Sequence, residues 1–247
     1  MSGGPGWAWR LRTFPSIAST SDLCVSLAAA GEPEGLAVLA LRQTAGRGSR
    51  GRGWESPGGN LHLSALLRPR GPASEAGRWA LLAAVALAEA VASAVPDPSR
   101  LRLKWPNDLL LDGAKIAGIL IDSAADSRGQ LDWMVIGFGV NLAHAPEIAG
   151  RTTARLDLPE ITPEALGEIV LERLAYWRGL RLLEGFAPVR AAWLRLAQPV
   201  GTPIRLSHNG ATVAGAFAGL GEDGSLLLQS GGRVHAFATG EVLQAGT

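Results

Sequence analysis

Arginine alternates with glycine in a short segment of this chain, from Gly46 to Gly53, and a tryptophan follows at position 54. Glycine lets backbone N–H groups approach a ligand without a Cβ in the way, and successive N–H groups form a nest for anions. Arginine adds forked donors that match a phosphate or a carboxylate. The segment therefore predicts a loop that closes around an anionic group. It is not a Walker A loop, because no Gly-Lys-Ser/Thr ends it and no helix follows.

Lys104 is a second candidate, because it lies on a predicted strand in which leucine alternates with Arg102 and Lys104. Pro106 removes a ladder donor and Asn107-Asp108 favours a turn, so the strand should end just after Lys104. A charged group at a strand end can line a pocket and stabilise charge that develops during a reaction. The alternative is a surface lysine that extends its ammonium into solvent.

The segment Ser19–Asp22, with the sequence STSD, precedes an apolar run. Such residues cap the N-terminus of a helix. The same hydroxyls, together with free helix N–H groups, could also form a neutral polar cradle for a urea or an amide. Both interpretations stay open on the residues alone.

Hydrophobic periodicity and turn residues predict the elements that position these groups. The predicted strands span residues 7–14, 35–44, 60–67, 101–106 and 132–141, with a hairpin over 108–123 that turns at Asp112-Gly113. The predicted helices span residues 23–30, 75–95, 162–186 and 188–197, whereas 143–161 should be a loop. The glycine–arginine segment thus joins two apolar strands, which argues against a disordered tail.

After Pro199 the pattern changes to short runs separated by Asn209-Gly210, Asp223-Gly224 and Gly231-Gly232. Closely spaced hairpin signals of this kind predict a small β-barrel. We therefore expect an α+β fold with a catalytic domain over residues 1–197 and a small barrel over 198–247.

Composition limits the possible functions. The 247 residues are 47% hydrophobic and 18% charged, which is typical of a globular chain, and 23 basic against 22 acidic residues leave a net charge of +1. A protein that grips nucleic acid usually carries a larger basic excess, so a small anionic ligand is favoured, although RNA is not excluded.

The rest of the composition predicts no metal or membrane site. Cys24 is the single cysteine, and His62, His144, His208 and His235 show no metal-ligand spacing, so structural or surface roles are expected for all five. The most apolar stretch, 79–95, is interrupted by Glu89 and reads as a buried helix, and the N-terminus lacks a signal pattern. We expect a cytoplasmic protein without a membrane segment.

Together these motifs resemble the biotin protein ligase family. STSD, QTAGRGSRGRGW, GGNLHLS, KWPNDLLLDGAKIAGIL and GFGVNL occur in that family's order and at its approximate spacing. The terminal GEDGSLLLQ and GEV are similar to its small SH3-like domain. The resemblance covers nearly the whole chain.

The resemblance implies an α+β fold with a mixed β-sheet flanked by helices, similar to class II aminoacyl-tRNA synthetases, and a C-terminal SH3-like barrel. It implies activation of biotin with ATP and Mg²⁺ to biotinoyl-5′-adenylate, followed by transfer of biotin to one lysine of a biotin carboxyl carrier domain. About six residues precede the first predicted strand, so the resemblance is to the short class without an N-terminal DNA-binding domain, and a repressor is disfavoured. The family includes homodimers, so monomer and homodimer both stay open.

The resemblance also implies roles for individual residues. Arg47 and Lys104 are the expected catalytic residues. The expected biotin-binding residues are Ser19, Thr20, Ser21, Gln43, Arg47, Gly48, Ser49 and Lys104. The expected ATP- or adenylate-binding residues are Gly46, Arg47, Arg50, Arg52, Trp54, Lys115 and Asn141. A surface role is the alternative for Lys115, and Mg²⁺ should bind through phosphate oxygens and water without a protein cage.

Ser49 departs from the family's pattern, because many members carry arginine there. A short hydroxyl replaces a forked donor, so we predict faster leakage of biotinoyl-adenylate than from a Ser49→Arg variant. Trapping of released adenylate with hydroxylamine tests this prediction, and equal leakage from both proteins would contradict it.

Two alternatives are kept. A lipoate or octanoate ligase shares the fold relationship, but it needs a long apolar pocket, and exchange of pyrophosphate that depends on biotin rather than lipoate separates the two. An RNA-binding module predicts a basic stripe and strongly salt-dependent binding.

Overall fold

The computed structural model describes residues 8–148 and 150–243, and its main feature is a seven-stranded mixed sheet. The strands are β1 (Arg10–Phe14), β2 (Leu36–Ala40), β3 (Leu61–Leu67), β4 (Leu101–Lys104), β5 (Asp108–Leu111), β6 (Ala114–Ala125) and β7 (Leu131–Val140). Their order is β1-β2-β3-β7-β6-β5-β4, in which only the β1–β2 pair is parallel among the described strands.

Helices cover both faces of this sheet. They are α1 (Thr20–Ala29), α2 (Ala76–Ala92), α3 (Pro163–Glu184) and α4 (Ala187–Leu196). α1 packs Cys24 and Ala28 against Leu36, Val38 and Leu66 on one face. α2, α3 and α4 contribute to the larger core on the opposite face, where alternate residues of β2 and β3 point. The buried helix predicted over 75–95 is α2, and its Glu89 accepts a hydrogen bond from Trp177 Nε1 at 2.9 Å.

A second, antiparallel sheet of five strands follows α4. Its strands are β8 (Pro203–His208), β9 (Ala211–Leu220), β10 (Leu226–Ser230), β11 (Arg233–Phe237) and β12 (Glu241–Leu243), in the order β11-β10-β9-β8-β12. Asn209 and Gly210 turn with φ of 48° and 78°, and Gly231 and Gly232 turn with 57° and 76°. The hairpin signals of the sequence are thus confirmed as turns of a small SH3-like unit.

The α+β fold and every predicted strand and helix are confirmed within the described residues, with ends shifted by a few positions. The first predicted strand begins at Trp7, which lies outside the described residues, and its described part forms β1. Apolar contacts run without a break from the main core to Phe217 and Leu228 of the second sheet. The domain boundary at 197/198 stays a prediction. Across the described ranges, no helix has the length and apolar character needed to cross a bilayer.

Candidate active site

A cavity of about 320 Å³ lies on the α1 face of the main sheet, between the start of α1, the glycine–arginine loop and strands β3, β6 and β7. It brings together most of the predicted site residues: Ser19, Thr20, Ser21, Gln43, Arg47, Gly48, Ser49, Arg52, Trp54, Lys115 and Asn141. Gly46, Arg50 and Lys104 are not among the residues that line it. Gly46 and Arg50 adjoin lining residues along the chain, whereas Lys104 is connected to the lining residue Lys115 only through Asp108.

The STSD segment performs the capping role predicted for it and also lines the cavity. Ser19 is the N-cap of α1, and its Oγ accepts from the Asp22 N–H at 3.2 Å. The Thr20 N–H donates to Gln43 Oε1 at 2.8 Å, and the Thr20 hydroxyl bonds Ser64 Oγ at 2.8 Å. The Ser21 hydroxyl also bonds Ser64 Oγ, at 3.0 Å. The two interpretations of this segment are therefore compatible.

Ser64 and Ser56 complete this polar cluster, and neither residue was predicted from the sequence. Ser64 is fully buried on β3, and Ser56 Oγ accepts from Gln43 Nε2 at 2.9 Å. A serine among the leucines of β3 was the available signal, because a buried hydroxyl needs a partner. The cluster fixes the side chains at one end of the cavity.

The glycine–arginine segment is an ordered hairpin-like loop. Arg47 and Gly53 form an isolated bridge, and the Gly48 N–H donates to the Arg52 carbonyl at 2.7 Å. Arg50 and Gly51 take φ of 59° and 73°, which accounts for a glycine at the tip. A Cβ on Gly46 would lie 2.5 Å from Ser56 Oγ, so this position requires glycine.

Arg47 is held between two carboxylates at the mouth of the cavity. Its Nε lies 2.7 Å from Asp22 Oδ1, and its Nη2 lies 2.9 Å from Asp122 Oδ2. The Arg47 side chain is 38% exposed and lines the cavity, so it is accessible to a ligand. Substrate anions could take the places of these carboxylates.

Arg50 and Arg52 both contact Glu241 on β12, and Arg52 also lines the cavity. Arg50 Nη1 lies 2.7 Å from Glu241 Oε2, Arg52 Nη1 lies 3.3 Å from the same atom, and Arg151 Nη2 lies 2.5 Å from Oε1. Burial raises the pKa of Glu241, but Arg151, Arg52 and Arg50 lower it more, so the net pKa is below its ordinary value. The second sheet thus holds the loop by one carboxylate.

Ser49 also contributes to the loop, since its Oγ accepts from Arg52 Nη2 at 3.0 Å. The predicted effect of Ser49 on adenylate retention stays a prediction.

A buried carboxylate joins the two candidate lysines. Lys104 Nζ lies 2.9 Å from Asp108 Oδ2, and Lys115 Nζ is ion-paired with Asp108 Oδ1. Burial raises the pKa of Asp108, but Lys115 and Lys104 lower it more, so the carboxyl stays ionised. Burial also lowers the pKa of Lys115, against the opposing effect of Asp108.

Three findings about this trio differ from expectation or extend it. The surface alternative for Lys115 is wrong, because its side chain is 16% exposed and lines the cavity. Lys104 ends β4 as predicted, yet it is one ion pair removed from the cavity wall. The sequence predicts only a turn at Asp108. The ion pair between Asp108 and Lys104 follows from the β4–β5 register, in which the two residues lie opposite each other.

Trp54 and Asn141 lie at the end of the cavity away from the serines. The indole packs on Gly139, where a Cβ would meet Trp54 Cε2 at 2.6 Å, and Lys115 Nζ lies 5.5 Å from its ring centroid. Asn141 Nδ2 donates to the Ala154 carbonyl at 3.0 Å. Trp54 Nε1 and Asn141 Oδ1 are buried and have no hydrogen-bond partner among the described residues. A planar ligand with donors and acceptors could satisfy them.

In the part of the chain that the structure describes, no three His, Cys, Asp or Glu side chains are grouped as metal ligands.

Residues 13–141 match the model of the Biotin/lipoate A/B protein ligase family.

Two curated relatives and one solved structure extend this match. A biotin--[acetyl-CoA-carboxylase] ligase of Paracoccus denitrificans is 39% identical over 78% of this chain and 83% of its own length. A ligase of the same name from Mycobacterium tuberculosis is 33% identical over 97% and 91%. A biotin protein ligase from Aquifex aeolicus, solved with biotin and ATP, has a TM-score of 0.79 at 24% identity, covers 96% and 99% of the two chains, and shows the same fold. This chain belongs to the Biotin/lipoate A/B protein ligase family.

Proposed function

We propose that this protein is a biotin protein ligase, which activates biotin with ATP and transfers it to a lysine of a biotin carboxyl carrier domain. The observation that carries the proposal is the composition of one cavity. A neutral hydroxyl cluster occupies one end of the cavity, and an accessible arginine and a buried lysine line its side. An indole occupies the other end, together with buried polar atoms that have no hydrogen-bond partner among the described residues. Such a cavity fits an uncharged ureido ring, a carboxylate beside a phosphate, and a purine.

In the first half-reaction the biotin carboxylate attacks the α-phosphorus of ATP, the P–O bond to pyrophosphate breaks, and pyrophosphate leaves. Two anions must approach within bonding distance, and their repulsion is severe in a dry site. Arg47 would leave Asp22 and Asp122 and bridge both anions. The trio of Lys104, Asp108 and Lys115 carries one net positive charge, which opposes the same repulsion.

In the second half-reaction the amine of the acceptor lysine attacks the biotinoyl carbonyl, the mixed anhydride breaks, and AMP leaves. Lys104 is proposed to polarise the carbonyl. Its ammonium would do so directly, after leaving Asp108, or indirectly, through the ion pairs that connect it to Asp108 and Lys115. Closure of the glycine–arginine loop excludes water from the anhydride. Mg²⁺ would neutralise the phosphates, held by their oxygens and water.

The remaining assignments follow from the proposal. Ser19, Thr20, Ser21 and Gln43 bind the biotin ring, and Trp54 and Asn141 bind the adenine. A cytoplasmic location, the carrier domain as partner, and a monomer or homodimer are proposed with them. The RNA-binding alternative is disfavoured, because Arg47, Arg50 and Arg52 are all paired with carboxylates and the net charge is +1.

Transfer to a purified carrier domain tests the proposal. The domain is incubated with the protein, ATP, Mg²⁺ and either biotin, lipoate or octanoate, and its intact mass is measured. We expect modification with biotin alone, and none when the acceptor lysine is replaced by arginine. Modification with lipoate or octanoate in place of biotin would assign the other branch of the family.

A further inference from the structure

His62 is a buried polar side chain on the cavity wall that the proposed mechanism does not use. It lies on β3 and is 1% exposed. Its register partner on β7 is Gly139, on which Trp54 packs, and Ser64, two residues along the same face of β3, belongs to the serine cluster. His62 therefore lies between the proposed biotin and adenylate ends of the cavity.

The two ring nitrogens of His62 have different surroundings. Nε2 lies 3.3 Å from the carbonyl oxygen of Pro57. A carbonyl only accepts, so Nε2 carries the hydrogen of this bond. Nδ1 is buried without a partner among the described residues. Burial lowers the pKa of His62, with the Pro57 bond opposing more weakly, so the ring is neutral and Nδ1 presents a lone pair.

We propose that His62 is a further substrate-binding residue, whose Nδ1 accepts a hydrogen bond from an N–H or O–H group of the bound substrates. The inference rests on the proposed function, which supplies such donors: the ureido N–H groups of biotin, and the ribose hydroxyls and amino group of the nucleotide. A buried acceptor without a partner is costly, and a ligand donor satisfies it. With His62 in the cavity wall, substrate binding depends on a hydrogen-bond donor in the ligand. A purely apolar wall would require no such donor.

The first test is ¹⁵N NMR of the histidine side chains in the wild-type protein. Four histidines are present, and the His62 signals are those lost in a His62→Asn variant. We expect Nε2 to be the protonated nitrogen. The Nδ1 resonance should move upfield when biotin, ATP or a non-hydrolysable biotinoyl-adenylate analogue is added. The ligand that causes the shift identifies the donor. Protonation at Nδ1, or a Nδ1 shift that no ligand changes, would overturn the inference.

A matched pair of variants gives the second test. Asn and Leu have the same branching, and both remove the bond to Pro57, but only Asn retains an acceptor at the δ position. Calorimetry should show that His62→Leu binds the donor-bearing substrate about fivefold more weakly than His62→Asn. Equal affinities would count against the proposal. If wild-type protein binds neither biotin nor ATP, the proposed function fails with it, whereas normal wild-type binding with equal variants overturns the role of His62 alone.

Discussion

At the residue scale, the forked geometry of Arg47 is central. In the structure its Nε and Nη2 contact two separate carboxylates, Asp22 and Asp122, and the same atoms can bridge two substrate anions. An Arg47→Lys variant keeps one positive charge but loses the fork. We expect kcat/KM for adenylation to fall on the order of tenfold to a hundredfold. Arg12→Lys, on exposed β1, is the matched control and should leave the rate unchanged.

Asp108 is expected to be critical for stability, because it is the shared partner of two buried lysines. Removing one member of a buried ion pair typically costs about 3–5 kcal/mol, so Asp108→Asn should lower the free energy of unfolding at pH 7 by roughly that amount. The native pKa of Asp108 lies below the ordinary value of 3.8, so its contribution is present above that pH and is lost as the pH falls through the native pKa.

Urea denaturation of wild type and Asp108→Asn, repeated from pH 7 downward, checks this prediction. The difference in unfolding free energy between wild type and Asp108→Asn should become smaller below about pH 4. Asp112→Asn, which alters an exposed pair with Arg100, is the control and should change little. A difference between wild type and Asp108→Asn that is negligible at pH 7, or constant with pH, would contradict the assigned ion trio.

Residue types near the site were readable from the sequence, but their partners were not. Arg47, Trp54 and the serines were predicted because glycine, arginine and capping residues have strong local meaning. The roles of Asp108 and Ser64 depend on which strands pair, because each gains its function from a neighbour across the sheet. A surface role was the alternative for Lys115 for the same reason, because its ion pair with Asp108 depends on the pairing of β5 and β6.

At the element scale, the loop between β2 and β3 depends on close backbone approach at Gly46. A Cβ there would lie 2.5 Å from Ser56 Oγ and 3.0 Å from Gln43 Nε2. Gly46→Ala should therefore displace Arg47 and lower the adenylation rate by at least about tenfold, since misplacement of about 1 Å can cost a hundredfold.

Gly58→Ala provides the control in the same connection, because its Cβ would meet only the Leu41 carbonyl oxygen, at 4.0 Å. Its rate should stay close to that of wild type. Thermal denaturation of both variants separates a loop effect from unfolding. Equal rates for the two variants would show that the approach at Gly46 is not required.

The strands and helices themselves followed from the sequence, because hydrophobic periodicity, capping residues such as Ser19 and the Asp112-Gly113 turn are local signals. The hairpin-like shape of the glycine–arginine loop did not follow from the sequence. It depends on Trp54 packing over Gly139 and on Arg50 bonding to Glu241, which are contacts between distant parts of the chain.

At the scale of the whole molecule, Glu241 connects the second sheet to the glycine–arginine loop through Arg50 and Arg52, and to the segment between β7 and α3 through Arg151. Glu241→Gln removes the charge that holds three guanidinium groups. We expect faster amide hydrogen exchange in residues 46–54, because the loop loses its anchor on β12. The second sheet should stay protected.

Glu222→Gln, an exposed change in the turn between β9 and β10, is the control for Glu241→Gln and should leave exchange in the loop unchanged. The native pKa of Glu241 is below the ordinary value of 4.5, so its anchoring is present above that pH and weakens as the pH falls through the native pKa. In acid, amide hydrogen exchange of residues 46–54 in the wild type should therefore approach the rate seen in Glu241→Gln. Identical loop exchange in both proteins at pH 7 would rule out the anchor.

The small barrel was predicted from its turns, but its contact with the active-site loop was not. A glutamate next to Gly240 carries no local signal that three arginines from elsewhere converge on it. Charge balance was the nearest indication, since a net charge of +1 with an arginine-rich loop means that acidic partners must exist somewhere in the chain.

Biotin-dependent exchange between ATP and labelled pyrophosphate tests the central claim most directly, because it reports adenylation alone. We expect exchange in wild type with biotin, no exchange with lipoate or without a carboxylic acid substrate, and a collapse of the rate in Arg47→Ala. Folded wild-type protein that shows no exchange with biotin, or that exchanges equally with lipoate, would contradict it.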